Sequence, residues 1–263
     1  MNLLKLYNSL NLRSGKFTGY FPVYETIFKD LKSKPIIFVE VGVMNGGSLE
    51  LWKKFFHKES RIIGIDINPN ALKLRDKGFE IFIGDQSQPK FWKEFYKKIG
   101  KINVLLDDGA HTNCCQIVTV VEAMKNIKDG GKVVIEDVGT SFMSSFGNPC
   151  RTSFINFAKS SINNLYARSL SANNKILNIF EKYCFSINFY DSIVAFEIDK
   201  KKCFKSKLKI SGSKKIGATD QRFDHLEIFK NSNNFSQKLV NKLSRRIGII
   251  YENYKLKKYF FKK

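Results

Sequence analysis

Between residues 36 and 136, short apolar runs alternate with longer stretches that are apolar along one side only. "IIFVEVG" (36–42), "RIIGIDI" (61–67), "FEIFIGD" (79–85), "INVLLDD" (102–108) and "GKVVIED" (131–137) have the length and the Val/Ile content of buried strands. The stretches between them read as helices. One runs from about Ser48 to His57, and one opens at Pro69, a favourable first helical residue. "QPKFWKEFYKKIG" and "CQIVTVVEAMKNIK" supply two more. Strand and helix alternating in this way predict right-handed βαβ units and a doubly wound, mostly parallel α/β sheet. "YCFSINFY" and "SIVAFEI", separated by little more than Asp191, predict a closing antiparallel hairpin at the sheet edge. The region 138–180 is less regular and ends in a predicted helix. No internal repeat is visible.

Composition narrows the class. The chain has 263 residues, 43% of them hydrophobic, enough for one large domain or a domain with a modest appendage. No run approaches the length of a membrane span, and "MNLLKLYNSLNLRSGK" is too polar for a secretory leader. Cys114, Cys115, Cys150, Cys184 and Cys203 lack metal-site spacing and read as reduced thiols of a cytoplasmic protein. The adjacent pair Cys114 and Cys115 reads as packing at a helix start. The net charge of +21 favours anionic partners, although lysine spread through the whole chain also fits a solvated surface.

Against that basic background, the carboxyl ends of all five parallel strands carry acids: Glu40, Asp66, Asp85, the pair Asp107 and Asp108, and the pair Glu136 and Asp137. Open α/β sheets bind ligands at those ends. "EVGVMNGGS" places Gly42, Gly46 and Gly47 at the first strand-to-helix junction, where a ligand can approach the backbone, without the GxGxxG spacing of dinucleotide enzymes. Asp66 is placed to accept hydrogen bonds from ribose hydroxyls, and Asp85 to meet an exocyclic amine of adenine. Such a rim suits a nucleoside with a cationic appendage better than a pyrophosphate. Carboxylates without a thiolate make hard oxygen ligands, suited to Mg²⁺, Mn²⁺ or Ca²⁺. His111, three residues beyond Asp108, can accept a proton near neutral pH.

The motifs "FVEVGVMNGGSLELW", "GIDINP" and "IGDQS" resemble the first three of class I S-adenosylmethionine-dependent methyltransferases, a Rossmann-like fold. "DDGAH", "VIEDVGTSF" and "INFYDSIVAFE" resemble the metal-dependent sugar O-methyltransferases of the macrocin and mycinamicin type and their surface-polysaccharide relatives, over about residues 12–199. The resemblance implies that Asp108, Glu136 and Asp137 hold a divalent cation, usually magnesium, and that His111 is the general base. It further implies that Glu40 and Gly42, with the Gly46 turn, border the methionine part of the cofactor. Asp66 would border its ribose, Asp85 its adenine and Asp107 its amino group. "SGKFTGYFPVYE" resembles the family's entry segment, in which Lys16, Tyr20 and Tyr24 cover the cofactor. Gly15 and Thr18 stand where the family has Asp and His.

The implied organisation is a cofactor-covering segment (1–34), a methyltransferase core (35–200) and a basic extension (201–263). The substrate would be a sugar or sugar nucleotide, and relatives of this type often self-associate. Other readings stay open. Asp107 and Asp108 can cap the next helix as N-terminal acids. The net charge would suit an RNA methyltransferase, yet no aromatic-interleaved basic motif is present, so no specific nucleic acid is expected. The basic, aromatic stretch 235–263, without a clean amphipathic pattern, can form an extra helix, dock on acidic lipid, form a partner-contacting arm or stay partly disordered.

Overall fold

A computed structural model describes residues 2–170, 178–204, 208–212, 221–229 and 234–256. It divides into two compact units, 1–207 and 208–263. Seven strands form one sheet in the order β3-β2-β1-β4-β5-β7-β6. They are β1 (Ile37–Val41), β2 (Arg61–Asp66), β3 (Glu80–Ile83), β4 (Ile102–Asp107), β5 (Ile127–Ile135), β6 (Cys184–Tyr190) and β7 (Ile193–Ile198). The first five pair in parallel; β7 runs antiparallel to both β5 and β6, closing the sheet as its hairpin pattern predicts. Strand order reverses between β1 and β4, so their carboxyl ends frame the crevice.

Helices α1 (Leu3–Tyr7), α2 (Tyr20–Phe28), α3 (Gly47–Phe55), α4 (Pro89–Ile99), α5 (Asn113–Ala123), α6 (Phe154–Leu170) and α7 (Ile179–Tyr183) complete the first unit. Side chains alternate across an extended strand, and the two faces of the sheet enter two separate cores. Phe38, Val104 and Leu106 pack with Tyr24, Phe28, Leu49 and Trp52 of α2 and α3. Val39, Val41 and Leu105 pack with Trp92, Phe95, Val120 and Phe154 of α4, α5 and α6. The amino-terminal segment contributes side chains to the first of these cores: Leu3, Tyr24 and Phe28 are wholly buried.

Two predicted elements differ in detail. The segment opening at Pro69 is a 3-10 helix (Pro69–Lys77) whose buried residues, Ala71 and Leu74, are spaced for three residues per turn. β5 starts at Ile127 rather than near 131, and its register jumps between Ile102↔Ile127 and Val104↔Lys132. The excess residues are taken up around Gly130 (φ +81) and Gly131, where a Cβ would lie 2.3 Å from the Asn103 carbonyl oxygen. Cys115 is buried but Cys114 is exposed, and all five thiols are free. In the second unit, the tail forms helix α8 (Phe235–Lys255). The end of "YKLKKYFFKK" from 257 onward, and residues 171–177 of the irregular region, lie outside the described residues.

Candidate active site

The rim is built where the loops after β1 and β4 touch. Gly42 has φ +82, and a Cβ there would lie 2.1 Å from the Asp108 carbonyl oxygen, so only glycine fits. Gly46 (φ +80) launches α3, and a Cβ on Gly47 would lie 2.6 Å from the carbonyl oxygens of Leu12 and Arg13. Asp66, ending β2, holds this glycine loop in place. Its Oδ2 accepts from the backbone N–H groups of Val43 (3.0 Å) and Met44 (3.1 Å), and its Oδ1 from that of Asn68 (2.9 Å). Asp85 accepts from the Ser87 N–H at 2.8 Å, and hydrogen bonds from Ser87 hold its carboxyl below the usual range.

The acid pair ending β4 splits. Asp107 turns inward, accepting from Gln86 Nε2 at 2.9 Å on both oxygens and from the Gly109 N–H at 3.1 Å. Burial raises its pKa. Asp108 turns to the other side and accepts from Lys16 Nζ at 2.6 Å. The same ammonium donates to Glu136 at 2.8 and 2.9 Å and lies 3.9 Å from Glu40. Lys16 is buried, which alone would lower its pKa, but the charges of Glu136, Asp108 and Glu40 outweigh that and raise it. Burial pushes Glu136 up to about 8, with Lys16 opposing.

Glu40 is wholly buried, accepting from Ser48 Oγ (2.7 Å) and Trp52 Nε1 (3.3 Å), and burial pushes it up to about 7 from 4.5. Between those values the folded protein holds a proton that the unfolded chain has released. Stability is therefore greatest below the lower value and falls as pH rises through the upper one. Thermal melts of the metal-free protein should show Glu40→Gln removing part of that decline, on the order of 1–3 kcal/mol. Parallel curves for the two proteins would contradict it.

A second grouping lies nearer solvent. Asp108, His111 and Asp137 each offer an atom within 4.8 Å of the others. His111 Nε2 is 3.3 Å from Asp137 Oδ2 and 3.9 Å from Asp108 Oδ1. Both His111 (φ +55) and Asp137 (φ +53) hold left-handed backbone, uncommon outside glycine. Thr140 Oγ1 sits 2.9 Å from both of their carbonyl oxygens and ties the two turns together. Tyr20 donates its hydroxyl to Asp137 Oδ1. Two carboxylates and an imidazole, partly exposed and converging, fit a divalent cation. Glu136 is not in this cluster; its carboxylate faces Lys16.

A cavity of about 450 Å³ opens along this rim, lined by Gly42, Met44 and Asp66 on one side and by Asp85, Asp108, His111 and Asp137 on the other. Its size fits a nucleoside-sized ligand. A second cavity of about 280 Å³ shares Asp108 and Asp137 and is walled by Lys16 and Tyr20. The expected residues thus fall into four groups, the first being Lys16 and Tyr20 on this second cavity. Gly42, Asp66, Asp85, Asp108, His111 and Asp137 line the large cavity; Glu40, Asp107 and Glu136 are buried. Gly46 shapes the turn against Leu74, and Tyr24 packs against Trp52 and Phe28 rather than facing either cavity. Sequence reasoning missed Gln86 and Thr140. Gln86 stands in "IGDQS" beside a strand-end acid, a position that could have drawn notice; no spacing marks Thr140.

No protein-family model matches the chain. It is 28% identical over 140 residues to demethylmacrocin O-methyltransferase of Streptomyces fradiae, covering 51% of this chain and 35% of that one. It is 29% identical over 137 residues to mycinamicin VI 2''-O-methyltransferase of Micromonospora griseorubida, covering 49% and 33%. The chain thus spans about a third of the length of these curated relatives. Among solved structures, the MycE methyltransferase of the mycinamycin pathway, in complex with Mg and SAH, superposes with TM-score 0.69 at 23% identity, over 76% of this chain and 54% of that one. The chain has the class I methyltransferase fold. In sequence it resembles the macrocin- and mycinamicin-type sugar O-methyltransferases.

Proposed function

We propose that this chain is an S-adenosylmethionine-dependent, divalent-metal-dependent O-methyltransferase acting on a sugar hydroxyl. One observation carries the reading: the convergent donors Asp108, His111 and Asp137 open into the same cavity that Asp66 and Asp85 line. Gly42 lines the cavity with its backbone, Asp66 and Asp85 would offer acceptors to ribose and adenine, and Glu40 and Asp107 are buried near the ends of the strands that frame it. The relatives named above, sugar O-methyltransferases and one structure with Mg and SAH, support the same assignment.

A sugar hydroxyl is a weak acid and a poor nucleophile, so the site must orient it in line with the methyl group and remove its proton. A divalent ion held by Asp108 and Asp137, with Glu136 close behind, would supply charge against the developing alkoxide. His111 accepts the proton at Nε2, the ring nitrogen that faces the two carboxylates. Lys16 and Tyr20 of the amino-terminal segment close this side, with Tyr24 packed behind Tyr20 in the core, within an organisation of cover (1–34), core (35–200) and extension (201–263). The substrate is a nucleotide-linked or glycan sugar of surface-polysaccharide or glycoside biosynthesis in the cytoplasm, in keeping with the free thiols.

Titration calorimetry should show saturable binding of S-adenosylhomocysteine. Methyl transfer to a panel of sugar nucleotides should stop with EDTA and return with Mg²⁺ or Mn²⁺. No heat at millimolar ligand overturns the cofactor assignment, and full turnover in EDTA overturns the metal's role.

A further inference from the structure

Helix α8 packs inside its own unit with its polar side. Asn241 is buried, accepting on Oδ1 from the backbone N–H groups of Ile228 (3.2 Å) and Phe229 (3.0 Å) and donating from Nδ2 to the Phe229 carbonyl (2.7 Å). Ser244 Oγ donates to the Leu226 carbonyl at 2.6 Å, and Leu226 covers Gly248 so closely that a Cβ would lie 2.6 Å from it. Arg245, on the same side, pairs with Glu227.

The apolar residues point the other way. Leu239, Val240, Leu243, Ile247, Ile250 and Tyr251 are each 40–68% exposed. Their three- and four-residue spacing gathers them, at 3.6 residues per turn, into a stripe roughly 120° wide. Lys238, Lys242 and Arg246, all exposed, run along one edge of it. The amphipathic order missing from the linear reading of this stretch is therefore present once it is wound into a helix.

Charge selects the occupant. Between 234 and 263 the chain carries nine Lys and Arg and a single acid, Glu252. A second copy of α8 would bring like charges together. A phosphate-only polyanion would leave the Leu and Ile stripe wet. A bilayer surface of anionic lipid accepts both the apolar stripe and its basic edge. We infer that α8 lies on anionic membrane, apolar stripe inward, and holds the chain at that surface.

Co-sedimentation of the full chain with vesicles tests this. The protein should pellet with equimolar phosphatidylcholine and phosphatidylglycerol, much less with phosphatidylcholine alone, and less as salt is raised. The double variants Leu243→Asp with Ile247→Asp, and Lys242→Glu with Arg246→Glu, should each weaken that binding at least about tenfold. Both should keep the wild-type circular dichroism and affinity for S-adenosylhomocysteine, so the result stands apart from the catalytic assignment. Absence of vesicle binding overturns the inference, as does undiminished binding by the Leu243/Ile247 variant. Two further results would also overturn it: a dimer in light scattering that this variant abolishes, and binding to single-stranded RNA but not to vesicles.

Discussion

His111→Gln is expected to lower turnover by about 10²- to 10⁴-fold, the usual contribution of a positioned general base. Glutamine keeps the bulk and a hydrogen-bonding end but cannot take up a proton near neutral pH. Affinity for S-adenosylhomocysteine should change little, because Asp66, Asp85 and the glycine loop form the rest of that cavity. The two roles open to the imidazole separate by measurement. A base gives the pH–rate profile an acid limb that the variant lacks. A metal donor gives a loss of Mn²⁺ affinity in electron paramagnetic resonance, to be compared with Asp108→Asn, for which at least about a hundredfold loss is expected. Unchanged turnover in His111→Gln would end the assignment.

Gly42→Ala is expected to cost about 3–5 kcal/mol and to abolish cofactor binding. The added methyl would lie 2.1 Å from the Asp108 carbonyl oxygen and 2.7 Å from Gly109 Cα, and φ of +82 disfavours any side chain. Neither obstacle is a flexible side-chain tip, so one of the two loops must move, and Asp108 moves with it. The melting temperature should fall by roughly 10 °C for a chain of this size. Gly19→Ala is the control: nothing lies within 4 Å of the new methyl, and melting should be unchanged.

The sheet could be read from the chain because the central strands β1, β2 and β4 are short, mainly apolar runs buried almost throughout, a pattern that survives without tertiary context. The rim acids could be read for the same reason, since each run stops at a carboxylate. Contacts made by distant residues could not. Lys16 reaches Asp108 across 92 positions and Glu136 across 120, and no local period announces a lysine buried among acids. Nor did the pattern say that Glu136 would turn to that lysine while His111 joined Asp108 and Asp137. The early start of β5 was hidden because Lys128, Asp129 and two glycines interrupt its apolar run. The side on which α8 packs was hidden because polar groups, not apolar ones, make its internal contacts.

Asp107 and Asp108 are neighbours in covalent sequence and strangers in space. Successive residues of a fully stretched backbone project to opposite sides, so one junction serves two compartments with no intervening loop. The arrangement has no tolerance for a change of phase. Inserting a single residue just before the pair would carry Asp107 into the place that faces Lys16, and deleting one would bring Asp108 into the place that faces Gln86. A point substitution here touches one compartment; a shift of one residue disturbs both at once.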